Sequence, residues 1–236
     1  MENFVLSNNV YITYAIEFIA VLAGVFTYKK YKQSAAIFFI HILFFIFFLE
    51  LFGSYPNYYG KVNFLKPLYD SVFRDNYWWF TICFDVITIF LFSRLFYKVL
   101  KRKTYKKIVN ISSYIFIIIS IVYIFLNFNK LFFQFFIFIQ ILGAVLIIIS
   151  AVSYFLEIIN NDKILTFYKD LYFYVAVAIF MWWIIVTPVS FYDIYFRAED
   201  WNFILLKWQI YLIANMFMYI TFAIGLIVSK TEKIND

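Results

Sequence analysis

Residues that build metal sites and disulfides are nearly missing from this sequence of 236 residues. It has one cysteine, Cys83, and one histidine, His41. A single cysteine cannot form an internal disulfide, and this pair cannot form a cysteine cluster or a multi-histidine metal site. A glycine-rich phosphate loop, an H-E-x-x-H pair and a G-x-S-x-G motif are also missing. We therefore expect no catalytic residue, metal or cofactor, and an enzymatic activity is not favoured.

Glycine, proline and charge are also scarce. The chain has 5 glycines, 3 prolines and only 14% charged residues, whereas 65% of its residues are hydrophobic. A soluble domain carries about a quarter charged residues, so water cannot be the main solvent of this chain. A membrane barrel would show short segments of alternating polarity, and the apolar runs here are continuous. These features predict an all-α integral membrane protein.

Seven apolar runs are each long enough to cross a bilayer, which requires about 20 residues per helix. They predict one transmembrane domain over residues 1–236, a bundle of seven helices joined by short connectors. The predicted spans cover residues 10–28, 35–52, 77–97, 109–127, 131–156, 170–190 and 207–229.

Lysine and arginine predict the orientation of the bundle. Fourteen of them fall in the first, third and fifth connectors and the tail, and six fall on the other side. Basic connectors favour the cytoplasm, so we expect the N-terminus outside and the C-terminus inside. The abundance of Ile, Phe, Lys, Asn and Tyr is typical of AT-rich bacterial genomes, which favours a bacterial inner (plasma) membrane.

The third connector is the most basic segment, with seven lysines and arginines between Arg94 and Lys107. Such residues attract anionic lipid headgroups. We expect this segment to lie against the headgroups, and a docking patch for a protein is the alternative. The net charge of +6 therefore does not indicate nucleic-acid binding.

Polar residues recur at helical spacing inside several predicted spans. Glu17, Asp85, Gln140 and Asn215 each lie about two turns from the predicted outer surface. Polar groups inside a membrane usually face the bundle interior or a wet cavity. The pattern predicts an outward-facing polar pocket, with structural hydrogen bonding between helices as the alternative. Its further candidate members are Thr13, Thr81, Trp182 and Thr187.

The charge state of that pocket is a second expectation. No lysine or arginine lies in a predicted span at the depth of Glu17 and Asp85. We therefore expect at least one of the two carboxyls to be protonated, to share a proton or to bind a cation. His41, in the second span, is a packing residue or a proton relay. Glu50, nine residues further on, is expected to point away from His41 and reach water.

The C-terminal third resembles a known group of proteins. The residues that carry the resemblance are Phe155-Leu156-Glu157-Ile158-Ile159, Lys163-Ile164-Leu165, Trp182-Trp183, Thr187-Pro188, Asn215 to Tyr219 and Gly225. They resemble small uncharacterised seven-helix proteins of the bacterial inner membrane, some of which accompany sensor kinases. The resemblance implies a signalling role and assigns no catalytic residue.

Three functions remain open at this point. A receptor-like or sensory subunit, signalling through a separate partner protein, fits an outward pocket on an odd number of spans. A small proton- or cation-coupled transporter would use Glu17 and Asp85, and would need a polar path continuing inward towards Ser150, Ser120 and His41. A structural subunit of a membrane complex needs neither a pocket nor a path.

Overall fold

The computed structural model describes residues 2–160, 165–192 and 201–230. Three basic residues in the predicted charge balance, Lys163, Arg197 and Lys233, lie outside these ranges. Within them the chain is helical, without strands.

Seven helices are long and apolar enough to cross a membrane, which confirms the predicted number of spans. Six of them are regular α-helices, and the third contains a π-helical segment. In chain order they are α1 (Glu2–Tyr31), α2 (Ala36–Gly53), α3 (Tyr77–Val99), α4 (Lys103–Leu126), α5 (Ile137–Ile159), α6 (Leu171–Tyr192) and α7 (Trp201–Val228).

Four helices begin clearly away from the predicted spans. Helix α1 begins at Glu2 rather than at residue 10, and α7 begins at Trp201 rather than at residue 207. Helix α4 begins at Lys103 rather than at residue 109, because lysine is a good helix former and extends the helix past its apolar run. Helix α5 begins at Ile137 rather than at residue 131. The residues before it form a 3₁₀ turn, Phe128–Phe132, followed by irregular chain. The sequence hides this break because residues 131–136 contain no glycine or proline.

Helix contacts run in a closed circuit from α1 through α2, α3, α5, α6 and α7 back to α1, with α4 packed outside against α3 and α5. The outward faces carry large apolar side chains, and Phe26 and Phe125 are 82% and 80% exposed. Surfaces of this kind are unfavourable in water and suit a hydrocarbon environment.

The two ends of the bundle differ in chemistry. We call the end that holds residues 54–76 and 127–136 the aromatic end, and the end that holds residues 32–35, 100–102 and 165–170 the basic end. Between them the half of the bundle nearer the basic end is tightly packed. Phe39 and Phe222 meet edge to face there, with ring centroids 5.0 Å apart, and the ring centroid of Phe92 lies 6.3 Å from that of Phe222.

The connector 54–76 at the aromatic end is folded onto itself by tyrosine hydroxyls. Tyr55 donates to the carbonyls of Phe73 and Asp75, at 2.5 and 2.9 Å, and accepts from Trp78 Nε1 at 3.3 Å. Tyr59 donates to the carbonyl of Arg74 at 2.6 Å. Burial, with the neighbouring Tyr55 and Asp75, raises the pKa of Tyr59 to about 12, so its hydroxyl remains a donor at neutral pH.

Removing the Tyr55 hydroxyl is expected to loosen this connector. The change Tyr55→Phe leaves two carbonyls and one indole N–H without their partner. Each lost hydrogen bond lowers the stability of the connector by about 1 kcal/mol. We expect limited proteolysis within residues 54–76 to become about tenfold faster or more. Tyr58→Phe is the control, because that side chain is exposed. Equal cleavage rates in both variants would contradict this role of Tyr55.

Candidate functional site

A cavity of about 1040 Å³ opens at the aromatic end between α3, α5, α6 and α7. Four predicted pocket residues line it. They come from four different helices: Asp85 from α3, Gln140 from α5, Trp182 from α6 and Asn215 from α7. Side chains from residues 133–136, the irregular stretch before α5, form part of its rim.

The side chain of Asp85 is carried by the π-helical part of α3. Residues Phe80–Thr88 form this segment, and the Thr88 hydroxyl donates to the carbonyl five residues back, at Cys83, over 2.9 Å. Asp85 is only 3% exposed, and its Oδ2 accepts a hydrogen bond from Gln140 Nε2 at 3.2 Å. π-Helical segments are rare and often occur at functional sites. The Asp85–Gln140 pair therefore forms a polar patch on the cavity wall.

A second polar pair lies where α6 and α7 line the cavity. Trp182 Nε1 donates to Asn215 Oδ1 at 2.6 Å, which joins α6 to α7. Nearer the aromatic end, the hydroxyls of Ser190 and Tyr211 lie 2.8 Å apart. The Asn215 amide nitrogen has no hydrogen bond within the described part of the chain, so it can donate to a molecule in the cavity.

About half of the lining side chains are aromatic, and several are in edge-to-face contact. Trp182 packs against Trp183 and Phe84, with ring centroids 5.0 and 6.0 Å away. Aromatic rings offer apolar area, and their faces attract cations. The cavity can therefore hold an apolar or cationic body while Asp85, Gln140 and Asn215 bind a polar group.

Glu50 was missed as a member of the site. The sequence predicts that it reaches water at the end of α2, but the structure places it on the cavity wall. It also lines an adjoining cavity of about 270 Å³, together with the predicted residue Thr13. Its distance from His41 correctly indicates opposite faces of α2, and the face opposite His41 is the inner one.

Glu17 is buried beside the cavity rather than on its wall. It is 1% exposed, and neither carboxyl oxygen has a hydrogen-bond partner among the described residues. Its electrostatic neighbours are the Glu50 carboxyl and the Tyr219 hydroxyl, and both of these side chains line the cavity. The structure therefore brings Asp85, Gln140 and Asn215 into one cavity, with Glu17 behind Glu50 and Tyr219.

The three remaining candidates do not line the main cavity. Thr81 is fully buried, and its hydroxyl has no partner in the described ranges. The Thr187 hydroxyl donates to the carbonyl of Trp183, one turn earlier in α6. His41 is exposed on the side of the bundle, and its Nε2 lies 3.5 Å from the Tyr28 hydroxyl.

Lys207 is a further lining residue that the sequence argument missed. It lies near the start of α7 and brings a positive charge to the cavity rim. A signal for it exists, because Lys207, Tyr211, Asn215 and Tyr219 are spaced by four and share one helical face. Within the described residues, no three acidic, cysteine or histidine side chains gather closely enough to bind a metal ion.

Comparison with known proteins does not assign this chain to a family. No family model matches the chain, and neither does a curated protein or a solved structure.

Proposed function

We propose that this protein is a receptor-like or sensory subunit of the cell membrane, which binds a small molecule in the cavity at its aromatic end. The observation that supports this best is a one-sided cavity, whose wall carries polar groups and which is closed towards the basic end by packed rings. A molecule can enter from one side, and the packed half offers it no exit. Binding without passage is what a receptor requires.

The proposed orientation makes that cavity face the outside. The connectors rich in lysine and arginine lie at the basic end, which favours the cytoplasm for that end and the exterior for the N-terminus. The basic segment Arg94–Lys107 would then lie at the inner headgroups. In this arrangement the ligand comes from outside the cell, and we propose an inner or plasma membrane as the location.

The lining supports a ligand with an apolar or cationic body and one hydrogen-bonding group. The rings supply apolar contact, and the Asp85–Gln140 and Trp182–Asn215 pairs supply the polar partners. The longest connector, residues 54–76, is held by its own tyrosines and forms no separate domain. We therefore propose that a separate partner protein receives the signal through the helices.

Accessibility of the cavity from outside tests this proposal. In a Cys83→Ser background, Ile141→Cys places a thiol on the cavity wall, and Val145→Cys places one a turn deeper on the same face of α5, outside the cavity lining. Only a thiolate in water reacts well with a charged thiol reagent. We expect a membrane-impermeant reagent, added to intact cells, to modify Ile141→Cys at least about tenfold faster than Val145→Cys.

Sidedness needs a third variant. Lys32→Cys places a thiol at the basic end, and the proposed orientation predicts modification only after the membrane is permeabilised. Modification of Lys32→Cys in intact cells, or equal rates for Ile141→Cys and Val145→Cys, would overturn the outward-facing cavity.

The buried carboxyl of Glu17 favours a second candidate, a proton- or cation-coupled transporter. A buried carboxyl beside a second carboxyl, here Glu50, is costly unless one of the two is neutral or a cation is bound. The path that transport requires is weakly supported, because Ser150 donates to its own helix and His41 lies outside the bundle. Proton flux into liposomes through the wild type, abolished by Glu17→Gln and retained by Asp70→Asn, would replace the receptor proposal. The receptor proposal predicts no flux.

A further inference from the structure

We propose that a second cavity, at the basic end, binds a phosphate group. This cavity, called here the lysine cavity, has a volume of about 670 Å³. Its lysines come from three separate parts of the chain: Lys98, Lys101, Lys106, Lys169 and Lys230. The site is independent of the cavity at the aromatic end.

The fold brings these lysines together. Lys98 is in the last turn of α3 and Lys106 is in the first turns of α4, so the short link between the two helices places both at one edge of the cavity. Lys169 precedes α6 and Lys230 follows α7. The backbone N–H of Lys230 donates to the carbonyl of Lys169 at 2.8 Å, which fixes the two segments side by side.

Four of the five lysines of the cavity are not neutralised by acidic side chains of the described lining. Asp170 is the one acidic residue among the described lining residues, and it has other partners. Its Oδ2 accepts from the Tyr154 hydroxyl at 2.8 Å, and its Oδ1 accepts from the backbone N–H of Tyr172 at 3.0 Å. Lys98, Lys106, Lys169 and Lys230 make no ion pair within the described parts of the chain. An anion is therefore the group that this cavity would attract.

Neighbouring rings support the lysine side chains without using their hydrogen-bond donors. Lys98 Nζ lies 4.1 Å from the ring centroid of Phe38, and Lys106 Nζ lies 5.2 Å from that of Tyr97. Each ammonium keeps its N–H groups for an acceptor. Several donors around one concave site match the oxygens of a phosphate better than a single carboxylate.

Much of the remaining lining is apolar, including Leu100, Ile158 and Leu171, and Ser34 and Thr166 add hydroxyl groups. These residues lie where long apolar helices end, which is the headgroup level of a bilayer. A phosphate with apolar atoms attached fits this combination. The phosphate can belong to an anionic phospholipid or to a soluble phosphorylated compound, since both present the same oxygens to the lysines.

Binding measurements on the full-length purified protein test this inference. The variant Lys98→Gln/Lys169→Gln/Lys230→Gln removes three charges from the cavity, and Lys29→Gln/Lys32→Gln/Lys103→Gln removes three exposed charges elsewhere at the same end. One arm measures retention of phosphatidylglycerol by native mass spectrometry, and the other measures binding of inorganic phosphate by calorimetry. A lysine near an anionic surface contributes about 1 kcal/mol, so we expect the cavity variant to bind about a hundredfold more weakly.

The two arms separate the sources of the phosphate. Loss of phosphatidylglycerol binding in the cavity variant alone supports a lipid headgroup, and loss of inorganic phosphate binding in that variant alone supports a soluble ligand. Equal losses in both variants would overturn the inference, because nonspecific charge would then explain the binding. A wild-type protein that binds neither probe would also overturn the inference. Monodisperse elution of both variants in detergent controls for their folding.

Discussion

Replacing Gly225 with valine is expected to destabilise the protein by about 3 kcal/mol. Gly225 is a point of close approach between α7 and α6. A Cβ at this position would lie 2.7 Å from Tyr174 Cβ and 3.1 Å from Tyr174 Cγ. Because the Tyr174 Cβ is fixed to the backbone of α6, the clash can be relieved only by moving the two helices apart. The Trp182–Asn215 hydrogen bond joins the same two helices and would be strained with them.

Thermal unfolding in detergent micelles measures this effect. Gly60→Val is the matched control, because nothing lies within 4 Å of a Cβ added to Gly60 in the exposed connector. We expect the control to change stability by less than about 0.5 kcal/mol. Similar unfolding temperatures for both variants would show that α6 and α7 are not held this close.

Glu157→Ala is expected to have an effect of similar size, about 3 kcal/mol. The Glu157 carboxylate is buried and accepts the backbone N–H groups of Lys101 at 2.7 Å and Arg102 at 3.0 Å. These two residues form the link between α3 and α4. Hydrogen bonds to a charged group contribute about 1.5–3 kcal/mol each, and two partly buried donors lose their partner in the variant.

A conservative variant separates hydrogen bonding from packing at this position. Glu157→Gln retains one side-chain acceptor and nearly the same volume, so its loss of stability should be about half that of Glu157→Ala. Asp70→Ala, at an exposed acidic residue, should leave the unfolding temperature unchanged. Equal stability of Glu157→Ala and wild type would contradict the claim that Glu157 stabilises the link between α3 and α4.

The seven helices could be predicted because a continuous apolar run has few stable solutions in a membrane. The irregular segments that interrupt these runs could not be predicted. The start of α5 at Ile137 is hidden, since Leu131, Phe132 and Phe133 extend the apolar run through a segment that is not helical. The π-helical part of α3 has no glycine or proline to indicate it, and it decides where the Asp85 side chain points.

Depth in the membrane was a better guide to the site than the choice of helical face. Asp85, Gln140 and Asn215 were predicted at one level, and all three line the same cavity. Glu17 has the same depth but is buried behind Glu50, because the face of a helix that meets the cavity depends on how its neighbours pack. Glu50 and Lys207 were missed because charged residues near helix ends are usually solvated.

A structure of the protein in lipid nanodiscs, with its bound molecules retained, tests the central claim most directly. We predict non-protein density in the cavity at the aromatic end, in contact with the Asp85–Gln140 pair and the Trp182–Asn215 pair. A cavity closed by repacked aromatic side chains, with Asp85 and Asn215 bonded only to neighbouring helices, would contradict the claim that it is a ligand site.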